Sequence, residues 1–195
     1  MKIGLFGGTF DPVHIGHLIL AEWIRVELLL DRFIYIPTYT PPHKQQNQVT
    51  SADVRLEMLN IAIRDNPSFD VSDIEIHRKG VSYSYDTIIT MRRTLHVDQS
   101  DLYFIIGADS MLEFDQWHRP KDILNNASVI VYQRKNYDLS NVNPDYASKI
   151  RIVENPIIDI SATMIREFVR TGRSIKYLVT PEVETFIRTK GLYKK

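Results

Sequence analysis

Residues 7–17 read GGTFDPVHIGH, directly after the apolar run KIGLF at residues 2–6. An apolar run that ends in a glycine pair reads as a buried strand feeding a tight turn. Gly7 and Gly8 admit backbone conformations that a side chain would block, and they let a ligand approach the main chain closely. Asp11-Pro12 starts the turn into a helix. The body of that helix, residues 18–30 (LILAEWIRVELLL), carries Glu22, Arg25 and Glu27 as its polar positions. A second β-rich run at residues 33–36 is closed by Pro37. Strand, helix and strand in so short a stretch make a βαβ unit, which predicts a parallel sheet.

The same alternation continues along the chain. After the Pro- and amide-rich loop TYTPPHKQQNQ, a helix is expected over residues 52–65, capped by Thr50 or Ser51. A strand is expected over 69–76, a helix over 85–96, and a buried strand over 102–106 (LYFII) ending at Gly107. Short helical segments are expected near 110–114 and 120–125, and strands at 129–132 and 150–153. The polar stretch 135–149 receives no assignment. A helix over 162–171 is stopped by Gly172, and Thr180-Pro181 opens a last helix that ends near Gly191. The expectation is a single α/β domain over residues 1–195: a Rossmann-like open parallel sheet, helices on both faces, and a small C-terminal helical part. Such sheets bind ligands beyond the carboxyl ends of their strands.

Composition narrows the function. The 24 Lys and Arg residues balance 24 Asp and Glu, so global charge gives no support to a nucleic-acid partner. The chain has no cysteine, which excludes disulfides, thiolate metal sites and cysteine nucleophiles. No stretch approaches the ~20 apolar residues that would span a bilayer, and the first residues do not resemble a signal peptide. A soluble cytoplasmic protein is expected, without a membrane partner; the sequence leaves open a homodimer.

The opening stretch also carries chemistry. His14 and His17 are three apart, which at a helix start puts both imidazoles on one side. Gly16 between them leaves no side chain to obstruct an approaching group. The helix N-terminus adds N–H donors and the positive end of a dipole, so the turn suits a phosphate. The imidazoles would stabilise charge that develops on phosphorus, not attack it. A metal site is the other reading of paired histidines, but Asp11 is the only carboxylate nearby, so no metal ligands are assigned. A dinucleotide G-x-G-x-x-G fingerprint is absent. Late in the chain, residues 160–166 read ISATMIR. Ser161 can cap the helix that follows, Thr163 can donate, and Arg166 can fork onto phosphate oxygens.

Taken together, the two motifs resemble the nucleotidyltransferase superfamily with the H-x-G-H signature. Over nearly the whole chain the sequence is similar to bacterial nicotinate-nucleotide adenylyltransferases. The resemblance rests also on PPHK (residues 41–44), SYSYDT (82–87) and IIGADSMLEFDQWHR (105–119). It implies that ATP and nicotinate mononucleotide are joined, with Mg²⁺, by direct in-line attack that releases pyrophosphate. It implies catalytic roles for His14 and His17. It implies ATP contacts from Gly8, Thr9, Phe10, Gly16, Gly107, Asp109, Arg134, Ser161, Thr163 and Arg166. For the mononucleotide it implies Gly7, Gly8, Lys44 and Asp109, with Trp117 stacked on the pyridine ring. Ser84 and His118 would offer backbone N–H groups to the nicotinate carboxylate. Ala162 and Ser84 depart from the family's usual hydroxyl residues, which bears on one side-chain contact at the first and on none at the second if backbone does the work. Pantetheine-phosphate adenylyltransferase, or a nucleotide sensor without turnover, are the alternatives.

Overall fold

The computed structural model describes residues 1–40 and 49–194. Its strands are β1 (Ile3–Gly8), β2 (Arg32–Pro37), β3 (Phe69–Val71), β4 (Leu102–Gly107), β5 (Ser128–Tyr132) and β6 (Ile150–Val153). They form a sheet in the order β3-β2-β1-β4-β5-β6, with every neighbouring pair parallel. The helices are α1 (Ile15–Glu27), α2 (Ala52–Ile63), α3 (Ile74–Arg78), α4 (Ser84–Leu95), α5 (Ala108–Leu112), α6 (Pro120–Leu124), α7 (Pro144–Ala147), α8 (Ala162–Arg170) and α9 (Pro181–Thr189). This is the α/β, Rossmann-like architecture the sequence pattern implied.

Side chains that alternate along each strand build two cores, one on each face of the sheet. Phe6, Phe33, Tyr35, Ile105, Ile130 and Tyr132 face α1, α2, α8 and α9. Leu5, Ile34, Ile36, Phe104, Ile106, Val129 and Val131 face α4, α5 and α6. Gly4 sits on the first face, where a Cβ would come within 2.8 Å of Leu30 Cδ1. Its missing side chain therefore lets Leu30 and Phe33 close over the centre of the sheet.

Three expectations need correction. The strand expected over 69–76 ends at Val71, and residues 74–78 turn into α3. The partner strand β2 ends at Pro37, which has no N–H to carry a ladder further; the last link is Ser72 N donating to Tyr35 O. Helix α1 begins at Ile15, earlier than the apolar pattern suggested, and stops at Glu27 because Leu29 adopts a φ of 53°. Within 135–149, Asn143 caps α7 by accepting from Asp145 N, and Tyr146 packs edge-on against Phe114 at 5.4 Å. The expected caps Ser161 and Thr180 do accept from Met164 N and Val183 N, whereas Ser51 stands at the N-cap of α2 without a side-chain bond.

Arg55, on α2, is 1% exposed and was not marked by the sequence pattern. Its Nη1 donates to Thr9 O at 2.7 Å, its Nη2 to Thr38 O at 2.6 Å, and its Nε to Thr50 O at 2.8 Å. One guanidinium thus ties together the loop after β1, the exit of β2 and the start of α2. Arg55→Met would leave those carbonyls without donors, and we expect a loss of roughly 3 kcal/mol or more in urea unfolding. Arg55→Lys should recover only part of it, because an ammonium lacks the planar fork.

Candidate active site

The sheet reverses its winding between β1 and β4, and there a cleft of about 550 Å³ opens beyond the strand ends. The loop after β1 lines it with Gly7, Gly8, Thr9, Phe10, His14 and His17. Gly107, Asp109, Trp117 and His118 come from the β4 side, Ser84 from α4, Arg134 from beyond β5, and Ser161 and Arg166 from α8. A second hollow of about 320 Å³ shares His14, His17, Tyr132, Arg134 and Ser161, and adds Gly16, Leu20 and residues 155–160. The two lobes share these five residues as a common wall.

His14 is the N-cap residue of α1 and His17 lies in its first turn. Their rings stack with centroids 3.6 Å apart and planes 22° from parallel. The His14 backbone N–H donates to His17 Nδ1 at 3.2 Å. That bond makes Nδ1 the acceptor, so in the neutral ring the proton sits on Nε2. His14 Nδ1 is buried without a partner. Burial, and then the nearby Arg134 charge, lower the His14 pKa to about 4. Burial, the facing His14 and Arg134 hold His17 well below the usual imidazole range. At neutral pH the pair is uncharged. A Cβ at Gly16 would press on His14 Nδ1 at 3.1 Å, and one at Gly8 on the Phe10 ring at 2.9 Å. Phe10, at a φ of 50°, in turn packs edge-on against His17 at 5.0 Å.

Asp11 joins the two sequence motifs. The Asp11-Pro12 peptide is cis. Its carbonyl accepts from Arg166 Nη1 at 2.7 Å, and Arg166 Nη2 donates to Thr163 Oγ1 at 3.2 Å. Its carboxylate, 4% exposed, accepts from Tyr193 Oη at 2.6 Å and from Thr50 N at 3.1 Å. Neither Tyr193 nor the structural use of Asp11 was legible in the motifs, since both are long-range pairings.

Across the cleft Arg134 and Asp109 pair with each other, Nη1 to Oδ2 at 2.6 Å. Asp109 Oδ1 is buried with no partner. Gly107 is required behind it, since a Cβ there would collide with that oxygen. At the far end, α4 starts after Tyr83, whose side chain makes no cap to its first N–H groups. Trp117 packs edge-on to Phe104 at 6.3 Å and tilted to Phe114 at 5.3 Å, while lining the cleft. His118 lies beside Tyr83 at 4.7 Å.

The structure therefore brings together every site residue expected from the sequence except two. Thr163 is not among the residues that line the cleft, and its Oγ1 accepts from Arg166 Nη2 at 3.2 Å. Lys44, with the rest of PPHK, lies outside the described residues. Glu75, Ser82 and Thr87 line the cleft although nothing in the sequence reading singled out their side chains.

Comparison with known proteins agrees with this geometry. A family model described as cytidylyltransferase-like matches residues 5–168. The chain is 38% identical over 201 residues to a probable nicotinate-nucleotide adenylyltransferase of Caldicellulosiruptor saccharolyticus, covering 100% of both chains. It is 41% identical over 214 residues to one of Trichlorobacter lovleyi, again covering 100% of both. Its fold superposes with a TM-score of 0.80 on Plasmodium falciparum nicotinic acid mononucleotide adenylyltransferase complexed with NaAD, at 20% identity over 98% of this chain and 97% of that one. Among the described residues, no helix is long and apolar enough to cross a membrane.

The buried neutral histidines predict a pH dependence of stability. Native His14 takes up its proton near pH 4, and the unfolded imidazole near 6.5. Between these values the unfolded state binds more protons, so stability is lost as pH falls from about 6.5 and the loss levels off below about 4. His14 alone accounts for about 3 kcal/mol over that window. We expect denaturant unfolding of His14→Ala to show a shallower decline than the wild type, and parallel curves would refute the assignment.

Proposed function

The chain belongs to the cytidylyltransferase-like family and, within it, to the nicotinate-nucleotide adenylyltransferases, and on that premise we propose how its cleft joins ATP to nicotinate mononucleotide to give nicotinate adenine dinucleotide and pyrophosphate, in NAD biosynthesis. The observation that carries the reading is the contact between the two motifs. Arg166 reaches Asp11 O, which sets a guanidinium beside a stacked histidine pair in one cleft.

The mononucleotide phosphate attacks the α-phosphorus of ATP in line. The new P–O bond forms as the α–β bridging bond breaks, and pyrophosphate leaves with that oxygen. No protein nucleophile is needed. His17 presents its Nε2–H to the α-phosphate, where negative charge accumulates. His14, stacked behind it, acts with it on the same phosphate. Arg166 spends two of its five donors on Asp11 and Thr163 and directs the others at the triphosphate, beside Ser161. The backbone of Gly8, Thr9 and Phe10 lines the path between the two substrates. Gly16 leaves the smaller lobe open next to the histidines, and this lobe takes the adenosine. Gly107 and Asp109 face the riboses, with Arg134 paired to Asp109 on the ATP side.

At the other end Trp117 offers a face to the electron-poor pyridine ring. The free N–H groups at the start of α4, Ser84 foremost, and the His118 N–H receive the nicotinate carboxylate; this arrangement favours the acid over the amide. Gly7 keeps that approach clear, since a Cβ there would meet nothing within 4 Å. Lys44 is assigned to the mononucleotide on resemblance alone.

Mg²⁺ enters with ATP. Among the described residues no group of three or more His, Asp or Glu side chains is placed to hold an ion. A magnesium ion that enters with a nucleotide would draw its ligands chiefly from phosphate oxygens and water. When bound, it would neutralise charge on the leaving pyrophosphate.

The test is pyrophosphate release on mixing ATP, Mg²⁺ and nicotinate mononucleotide; binding of both without release would favour a nucleotide sensor. His17→Ala should stay folded and lose about 100- to 1,000-fold in kcat, the worth of one charge-stabilising donor. Ser84→Pro deletes an N–H at a first helical position, where proline is tolerated. It should raise KM for the mononucleotide about tenfold, the scale of one hydrogen bond, and leave KM for ATP unchanged.

A further inference from the structure

Behind the first turn of α4 lies a buried carboxylate that adenylyl transfer does not itself require. Glu75, on α3, is 4% exposed and borders the cleft. Its Oε1 accepts from Thr87 Oγ1 at 2.6 Å, and Thr87 Oγ1 accepts from Arg78 Nη2 at 2.9 Å. Its Oε2 is buried with no partner. A carboxylate in this place is desolvated beside a site for two anions, and its counter-charge, Arg78 Nη2, stands 3.9 Å from Oε1. A residue that only filled space here would be apolar, so the carboxylate points to a directional role.

The neighbouring backbone supplies that role. Between α3 and α4 the chain passes through Lys79 at a φ of 58° and Gly80 at 73°. Among the described residues it then meets the sheet side through the bridge of Thr40 with Val81, where Ser82 N donates to Thr40 O at 3.3 Å, and through Tyr39 N donating to the buried Ser82 Oγ at 3.1 Å. The bond from Thr87 to Glu75 therefore ties the first turn of α4 to α3 and sets where its uncapped N–H groups point. We propose that Glu75 is a positioning residue for the mononucleotide: by holding Thr87 it aims the start of α4 at the nicotinate carboxylate. This rests on the reading of α4 given above. Burial pushes the Glu75 carboxyl up, against the pull of Thr87, Ser82 and the Arg78 charge.

The experiment is steady-state kinetics of the full chain with each substrate varied in turn. Glu75→Ala should raise KM for nicotinate mononucleotide about tenfold, the scale of one lost hydrogen bond, with KM for ATP and kcat within about twofold. Thr87→Val, nearly isosteric, should move the same constant in the same direction, and it carries the test if Glu75→Ala does not fold. Glu75→Gln keeps an oxygen for Thr87 and should return KM to within about threefold of the wild type. Equal rises in both Michaelis constants, no rise, or a Gln variant as impaired as Ala would each overturn the proposal. Ser84→Pro separates the two readings. If it raises KM while Glu75→Ala does not, the positioning role falls and the α4 site stands. If Ser84→Pro is silent, the α4 site itself falls.

Discussion

The whole site hangs on how Asp11 is held. It sits in a loop that must present backbone and imidazoles to phosphates, yet it brings a buried negative charge into that region. Such a group is tolerable only when donors and cations surround it. Here they come from distant parts of the chain. Tyr193 and Thr50 donate to the carboxylate, Arg166 to the carbonyl, and the Arg55 guanidinium lies within electrostatic reach. The same set of bonds therefore neutralises the loop, fixes its shape, and delivers the second motif to the first.

Charge elsewhere in the cleft follows a similar logic. The imidazoles are kept neutral by burial and by Arg134. Arg134 is paired with Asp109, and Arg166 is anchored on a carbonyl and a hydroxyl. The cleft thus carries oriented donors with modest net charge. An arriving triphosphate meets dipoles already in place, so little reorganisation is left for the reaction. It also favours the protonated imidazole, which couples nucleotide binding to proton uptake.

Much of this was legible in the sequence because it is local. Apolar runs ended by glycines marked the strand ends, and H-x-G-H stood directly before the apolar pattern that marked the body of α1. Ser161 as a cap and Thr180-Pro181 as a helix start follow from short-range backbone needs, and the structure makes both bonds. What was not legible is pairing across the chain. Arg55 is one basic residue in a mixed helix, and only its four carbonyl partners, on three loops, make it structural. Glu75 sits in an alternating stretch that reads as strand, because alternation cannot tell where a neighbouring strand stops offering partners. Thr163 accepts from Arg166, three residues on along the same helix, a pairing that the spacing allows but does not announce.

The bond from Tyr193 to Asp11 spans 182 residues. The loop that faces phosphate and the residues that clamp it thus come from widely separated parts of the sequence. A peptide carrying β1, α1 and β2 alone would hold the motif without the bonds that give it its shape, so the phosphate cradle is a property of the assembled sheet and not of the motif.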